Sequence, residues 1–307
     1  MKPLVLITAG DPLGIGPEIT VRALQNARVQ RACRAIVIGE PTSLLRAGFT
    51  ERLGRLIALE NTNPLPRKHA PSRAGGLISY RAVRLGAKLA LQRHLPLVTA
   101  PISKQSWTLA EVPFTGHTEL LRAATGAEGL MMFVSGKLRC ALVTEHAALA
   151  HLPLTQARVE QRALAFIHAL QQAGLRHPSV GLCAVNPHAS DNGKFGTEEN
   201  EILLPVLRKL RRRGLRINGP LPTDAAWLAH CRGTYDGLLC MYHDQALLGL
   251  KLAARHPIVH FTAGLPFVRT SPAHGTAFDI AGCHQADPAS MVAAIIAAAK
   301  SPFSGRH

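Results

Sequence analysis

No run of 18 consecutive apolar residues occurs in the chain, so a membrane-spanning helix is not expected. The six cysteines, Cys33, Cys140, Cys183, Cys231, Cys240 and Cys283, include no CxxC pair. That scatter excludes a zinc ribbon and argues against a disulfide framework; three of them lie inside apolar runs, where reduced, buried thiols belong. Aromatic residues make up only 5% of the chain, and no basic stripe carries aromatics on which bases could stack. Nucleic-acid binding is therefore a minor alternative. The opening MKPLVLITAGD is interrupted by Gly10 and Asp11 too early for the apolar segment of a secretory signal, and a cytoplasmic protein is expected. Internal repeats and low-complexity segments are absent.

What is present is a chain of 307 residues, 47% hydrophobic and 18% charged. It can bury a real core, in one large or two medium domains. The net charge of +16 is compatible with nucleic acid, an acidic membrane surface or anionic small substrates. Its densest cluster, RKLRRRG at 208–214, ends a helical pattern, where cations complement the helix dipole and face water.

LVLITAG (4–10) reads as a buried strand, followed by DPLGIGPEI, a glycine-rich turn into a helix beginning near Pro17 and Glu18. GxxGxG in this order is neither of the familiar phosphate-loop patterns, and a tight strand-to-helix turn is the better reading. AIVIG (35–39) is a second strand, 61–74 a loop, LISYRAVRLGAKLALQRH a helix, and LPLVTAPISK a strand whose tip carries Thr99, Ser103 and Lys104. Strands go on alternating with helices, which predicts an α/β fold with a mostly parallel sheet covered on both faces. Ligands of such folds bind outside the carboxyl ends of the strands. Asp11, Lys104, His146, His188, His243 and a loop holding Arg269 are all expected there.

Three apolar runs, CALVTEH, VGLCAVNPH and GLLCMYHD, each end in an imidazole: His146, His188 and His243. Most of the 15 histidines must be ordinary, but delivery at the same end of three strands points to one divalent-metal site with open positions. Asp244 is either a carboxylate supporting His243 or a helix N-terminal acid. In FTGHTELL, Thr115 or Thr118 can cap the following helix, whose first amides could also receive an anion. Lys251 and Arg269 suit phosphate or carboxylate oxygens, although Lys251 could equally be a snorkelling surface residue. In LPFVRTSPAHGTAFDIAG (265–282), a His274-Gly275-Thr276 turn followed by a helix would admit an adenosine diphosphate. Asp279 would then accept from ribose hydroxyls, favouring NAD over NADP.

Taken together, GDPLGIGPE, TAPISK, FTGHTELL, TEH, NPHASDNGKFGTEE, GPLPTD, MYHDQ and GLPFVRTSPAHGTAFDIAG resemble the 4-hydroxythreonine-4-phosphate dehydrogenase family of pyridoxal phosphate biosynthesis, in order and over nearly the whole chain. HGTAFDIAG is also similar to the cofactor loop of isopropylmalate dehydrogenases. The resemblance implies two α/β/α domains of the isopropylmalate dehydrogenase type, with approximate bounds 1–113 plus 263–307 and 114–262. It further implies an active site in the interdomain cleft, a homodimer and a divalent ion (zinc, magnesium or cobalt). Its metal ligands fall on His146, His188 and His243, its substrate contacts on His117, Thr118, Lys251 and Arg269, and an acid reaching toward the partner's site on Asp224.

Three departures stand out. His260 replaces a usual Asn that touches substrate, Ser103 replaces the Asn of TAPINK, and Ser190-Asp191-Asn192 replaces part of a glycine-rich loop. The expected reaction is NAD-dependent oxidation of a phosphorylated hydroxy acid, 4-phosphohydroxy-L-threonine, with loss of CO2. Lys251 and Asp224 are the candidate proton carriers. A phosphorylated four-carbon sugar acid is the alternative substrate, and a basic nucleic-acid-binding protein without catalysis the remote one.

Overall fold

The computed structural model describes residues 2–60 and 65–300, and over them the chain divides into two compact units, 1–129 with 259–307 and 130–258. The expected division at 114 and 263 thus falls at Leu130 and Val259. The reason is packing: Leu120 and Leu121 enter the same core as Val83, Ala87 and Trp107, so the helix that begins at His117 goes with the first unit.

The first unit runs β1 (Leu4–Thr8), α1 (Gly16–Gln25), α2 (Ala27–Ala32), β2 (Arg34–Gly39), α3 (Pro41–Arg46), β3 (Arg55–Ala58), α4 (Arg73–Arg93), β4 (Leu97–Thr99), α5 (Lys104–Leu109) and α6 (His117–Thr125). The second unit contributes β5 (Leu130–Ser135), β6 (Leu138–Leu142), α7 (Gln156–Gln172), β7 (Val180–Cys183), α8 (Leu204–Arg212), β8 (Ile217–Leu221), α9 (Thr223–Cys231), β9 (Gly237–Cys240) and α10 (His243–Ala253). The chain then returns to the first unit with β10 (Val259–Ala263), β11 (Arg269–Pro272) and α11 (Ala289–Lys300). Of the expected 61–74 loop, 61–64 lie outside the described residues, and Arg73 and Ala74 already belong to α4.

In the first unit the strands lie in the order β3-β2-β1-β4-β11-β10, all parallel except the β10–β11 pair. The inner strands are apolar throughout because both faces are covered. Val5 and Ile7 pack into the core that holds α1 and α11 residues, while Leu6 and Leu97 pack on the other face against α4, α5 and α6. The glycine-rich stretch after β1 is a tight turn, as expected. Gly10 has φ +78 and a Cβ there would run into the Pro101 carbonyl; a Cβ on Gly14 would come within 2.9 Å of Thr276.

In the second unit the order is β5-β6-β9-β7-β8, with an antiparallel β5–β6 hairpin and parallel pairs beyond it. Cys140, Cys183 and Cys240 are buried free thiols packed with Trp227 of α9 and Leu250 of α10. Helices α7 and α8 bury Phe166, Leu170, Leu207 and Leu210. The basic run at the end of α8 is spoken for locally. Lys209 and Arg213 pair with Glu160 at 2.7 and 3.5 Å, and Arg211 donates to the Ile217 and Gly219 carbonyls. Among the described residues no helix is long and apolar enough to cross a membrane.

Candidate active site

Arg269 is not in a loop. It opens β11, opposite Leu97 at the start of β4, and so belongs at the amino edge of the parallel strands. Length of side chain corrects the placement: its Nε and Nη2 donate to Thr99 Oγ1 at 3.2 and 2.7 Å, at the far end of β4. Its Nη1 donates to Thr262 Oγ1 at 3.0 Å and approaches His260 Nδ1 at 3.3 Å. The residue is 2% exposed, and burial pushes its guanidinium down to about 9. Among the described residues no carboxylate pairs with it. A buried cation with no carboxylate partner among the described residues is an expensive arrangement that a bound anion would offset.

His117 stands beside this cation at the start of α6. Burial first, then the positive charge of Arg269 and the neighbouring His260, hold its imidazole well below the usual range, so it is neutral at pH 7. Its ring packs near Trp107, centroids 6.1 Å apart, and its Nε2 is closed to solvent without a hydrogen-bond partner. The expected cap by Thr115 or Thr118 does not form. Gly116 occupies the cap position with no side-chain acceptor, and Glu119 instead takes the Thr115 amide at 2.7 Å. Thr118, in the first turn, is half-buried, and the α6 start thus has no side-chain acceptor at its cap, beside the buried guanidinium's histidine neighbour.

Two other features of this unit are structural. Ser103 Oγ caps α5, accepting the Ser106 amide at 3.0 Å. Ser and Asn serve equally well at that position, so this departure is conservative. Asp11 is buried, accepts from Ser106 Oγ at 2.7 Å and the Leu13 amide at 3.1 Å, and is pushed up by burial. The loop expected to receive a dinucleotide leaves β11 through His274 and Gly275, both exposed, with open space beside the Gly275 Cα. No helix follows: 278–284 are hydrogen-bonded turns, Ile280 to Ala277 and Cys283 to Ile280, and α11 begins only at Ala289. Asp279 is exposed on these turns.

In the second unit the three histidines follow parallel neighbours β6, β7 and β9, but beyond the strand ends and not on them. His146 lies in a bend after β6, and His243 is the first residue of α10. Their rings meet, centroids 5.4 Å apart. His243 Nδ1 lies 2.7 Å from Asp244 Oδ1. A carboxylate only accepts, so Nδ1 carries the proton and Nε2 is left as the ligand nitrogen. His188 sits in a left-handed run, φ 53, 54, 65, 44 and 59 over residues 188–192. Among the described residues no three His, Cys, Asp or Glu side chains are gathered closely enough to hold a metal ion. Two of the three imidazoles are brought together, then, with a carboxylate on one of them; three imidazoles are a donor set whose chemistry suits a divalent ion, but the structure does not gather all three.

The left-handed run carries a testable strain. Ala189 has φ 54 and ψ 49, which costs an L-residue about 1–2 kcal/mol. Ala189→Gly removes that cost against a smaller entropic loss and should stabilise the protein by roughly 0.5–1 kcal/mol in urea melts; no gain would place the strain elsewhere.

Lys251, on α10, and Asp224, in the first turn of α9, are both exposed. Two residues that sequence reasoning passed over hold this unit's loops. Buried Gln245 accepts the Met241 amide at 2.6 Å and donates to the Ala184 carbonyl and Thr223 Oγ1, both at 2.7 Å. Glu199 takes the amides of Val185 and Asn186 at 2.7 and 2.8 Å. Gln245 does stand in MYHDQ, and its position one turn after Met241 was the available signal; Thr262, which holds Arg269, offered none.

Parallel strands with a buried guanidinium in one unit, and paired imidazoles beside a carboxylate in the other, are the features of an α/β enzyme acting on small molecules. The family model for pyridoxal phosphate biosynthetic protein PdxA matches residues 20–298. The chain is 38% identical to a 4-hydroxythreonine-4-phosphate dehydrogenase of Geobacter metallireducens, over 97% of this chain and 95% of that one. It is 33% identical, over 97% and 96%, to a protein of Symbiobacterium thermophilum provisionally named D-threonate 4-phosphate dehydrogenase. The crystal structure of the Klebsiella pneumoniae 4-hydroxythreonine-4-phosphate dehydrogenase superposes with a TM-score of 0.86 at 32% identity, covering 99% and 98% of the two chains. The chain belongs to the PdxA family.

Proposed function

We propose that the protein oxidises 4-phosphohydroxy-L-threonine with NAD and a divalent metal ion, with decarboxylation to 3-amino-2-oxopropyl phosphate, in pyridoxal 5'-phosphate biosynthesis. The observation that carries this reading is Arg269, a buried guanidinium with no carboxylate partner among the described residues, which asks for an anionic group of the substrate. Its fork orients a phosphate or carboxylate, and neutral His117 beside it offers a hydrogen bond without adding charge. Thr118 completes this contact at the start of α6. His146, His188 and His243 would hold the divalent ion (zinc, magnesium or cobalt), which when bound supplies Lewis-acid polarisation of the substrate's hydroxyl oxygen. Lys251 Nζ and the Asp224 carboxylate are the groups assigned to carry protons, Asp224 in the setting of a homodimer.

His274, Gly275 and Asp279 would hold NAD, which when bound would supply the hydride acceptor. The space beside Gly275 and the exposed carboxylate of Asp279 support the assignment. Asp279→Ala should narrow the preference for NAD over NADP, read as the ratio of kcat/KM values; an unchanged ratio removes Asp279 from the site.

One observation favours a second substrate. His260, where the family usually has Asn, lies against both Arg269 and Ser271 at 3.3 Å. An imidazole there alters which groups the anion pocket accepts, and phosphothreonate or phosphoerythronate is the rival. NADH formation followed with 4-phosphohydroxythreonine, phosphothreonate and phosphoerythronate decides: the highest kcat/KM is expected for the first, and no NADH from any of them would end the dehydrogenase reading.

A further inference from the structure

We propose that Glu199 is a positioning residue that sets the path of the turn carrying His188. This rests on the reading of His188 as a metal ligand. When the chain leaves β7 at Cys183, the amides of Val185 and Asn186 no longer have a strand to bond, and Glu199 Oε1 accepts both, at 2.7 and 2.8 Å. Glu199 Oε2 takes the Asn186 side-chain amide at 2.9 Å, and Glu198 Oε2 takes it at 2.8 Å. One carboxylate therefore fixes two successive peptide units and the Asn186 side chain that follows them. Pro187 follows with its φ restricted by the ring, and His188 opens the left-handed run. Between the clamp and His188, the ring of Pro187 removes one further backbone torsion.

Four further facts agree. Glu199 is 1% exposed, so its bonds are made away from competing water. Burial alone would raise its carboxyl, but the bonds from Asn186 and the backbone amides outweigh it and hold the group below the usual range, charged. Residues 199–203 form a π-helical turn leading into α8, an uncommon geometry often met at functional sites. Gly196 shuts the other side, since a Cβ there would lie 2.6 Å from both Asn186 Nδ2 and Glu198 Oε2. Glu199 makes no hydrogen bond to an imidazole itself, which is why it positions and does not ligate.

The test is the affinity of the metal-stripped protein for Co(II) alone, by calorimetry, together with the visible absorption of the Co(II) form. Glu199→Gln keeps the shape but turns an acceptor into a donor facing the Asn186 amide. It should weaken Co(II) binding roughly tenfold to a hundredfold and change the Co(II) spectrum, both read below the variant's own metal-free thermal midpoint, which the buried mismatch lowers. His188→Ala is the comparator. If it weakens binding and Glu199→Gln does not, the positioning role is wrong while the metal site stands. If His188→Ala itself binds like the parent, the metal reading fails and this inference with it. Should Glu199→Gln not fold, Asn186→Ala removes only the side-chain arm of the clamp, and parental Co(II) affinity in that variant overturns the proposal.

Discussion

Arg269→Met should make the protein harder to melt and far worse at binding its phosphorylated substrate. Replacing a buried, uncompensated charge by an apolar side chain of similar volume stabilises by about 1–4 kcal/mol. Thr99 Oγ1 and Thr262 Oγ1, left without their donor, take back part of that. A net gain of about 1–2 kcal/mol is expected. Substrate affinity moves the other way, by about 2–5 kcal/mol, roughly 30- to 4,000-fold, because the anion then faces an apolar wall. Arg269→Lys should not restore binding, since an ammonium cannot serve Thr99 and Thr262 and a substrate oxygen at once. A variant that is both less stable and unimpaired in substrate affinity would show that the guanidinium is a structural strut.

The same charge predicts a pH signature. The folded protein holds the Arg269 proton less tightly than the unfolded chain does, so the penalty is in full force below pH 9 and is relieved as pH rises from about 9 toward the ordinary arginine value. Stability of the parent relative to Arg269→Met should therefore rise over that alkaline interval. His117 works at the other end. Its folded imidazole resists protonation, so stability falls as pH drops below the usual histidine value, where only the unfolded chain takes the proton. His117→Gln should flatten that acid limb.

The second large effect is expected from His188→Ala and His243→Ala. Each should abolish metal-dependent turnover while the circular dichroism and melting of the metal-free protein stay near the parent's, because both residues lie beyond the strands and outside the core. Metal content by mass spectrometry and turnover after chelator treatment check this. Full activity in chelator-treated His188→Ala protein would remove His188 from the chemistry.

How far the chain could be read in advance follows from what kind of signal each feature leaves. Buried parallel strands are apolar on both faces, so LVLITAG, AIVIG and the three runs before the histidines showed themselves directly. The glycine-rich turn was legible because its spacing matched no phosphate loop. Arg269 was misplaced because strand β11, RTSP, is polar and short, and nothing local says that a four-residue polar stretch is inserted between β4 and β10 in the interior of a sheet. The helix expected after Gly275 failed for a related reason: AFDIAG has helical composition, but Gly282 at φ +78 and the packing of Ala281 and Ala286 into the core favour successive turns. The left-handed run at 188–192 was hidden because Ser190, Asp191 and Asn192 stand where glycines would have announced it.

Gln245 ties the lead-in to His243, the exit of β7 and the start of α9 with one side chain. Its oxygen and both its protons are already committed, so the three segments behave as a single lever and a push on any one is felt by the others. A glutamate in its place, differing by one atom, would set a lone pair against the Ala184 carbonyl. An exchange that looks conservative is thus poorly tolerated here, because one amide holds three separate strand-end segments.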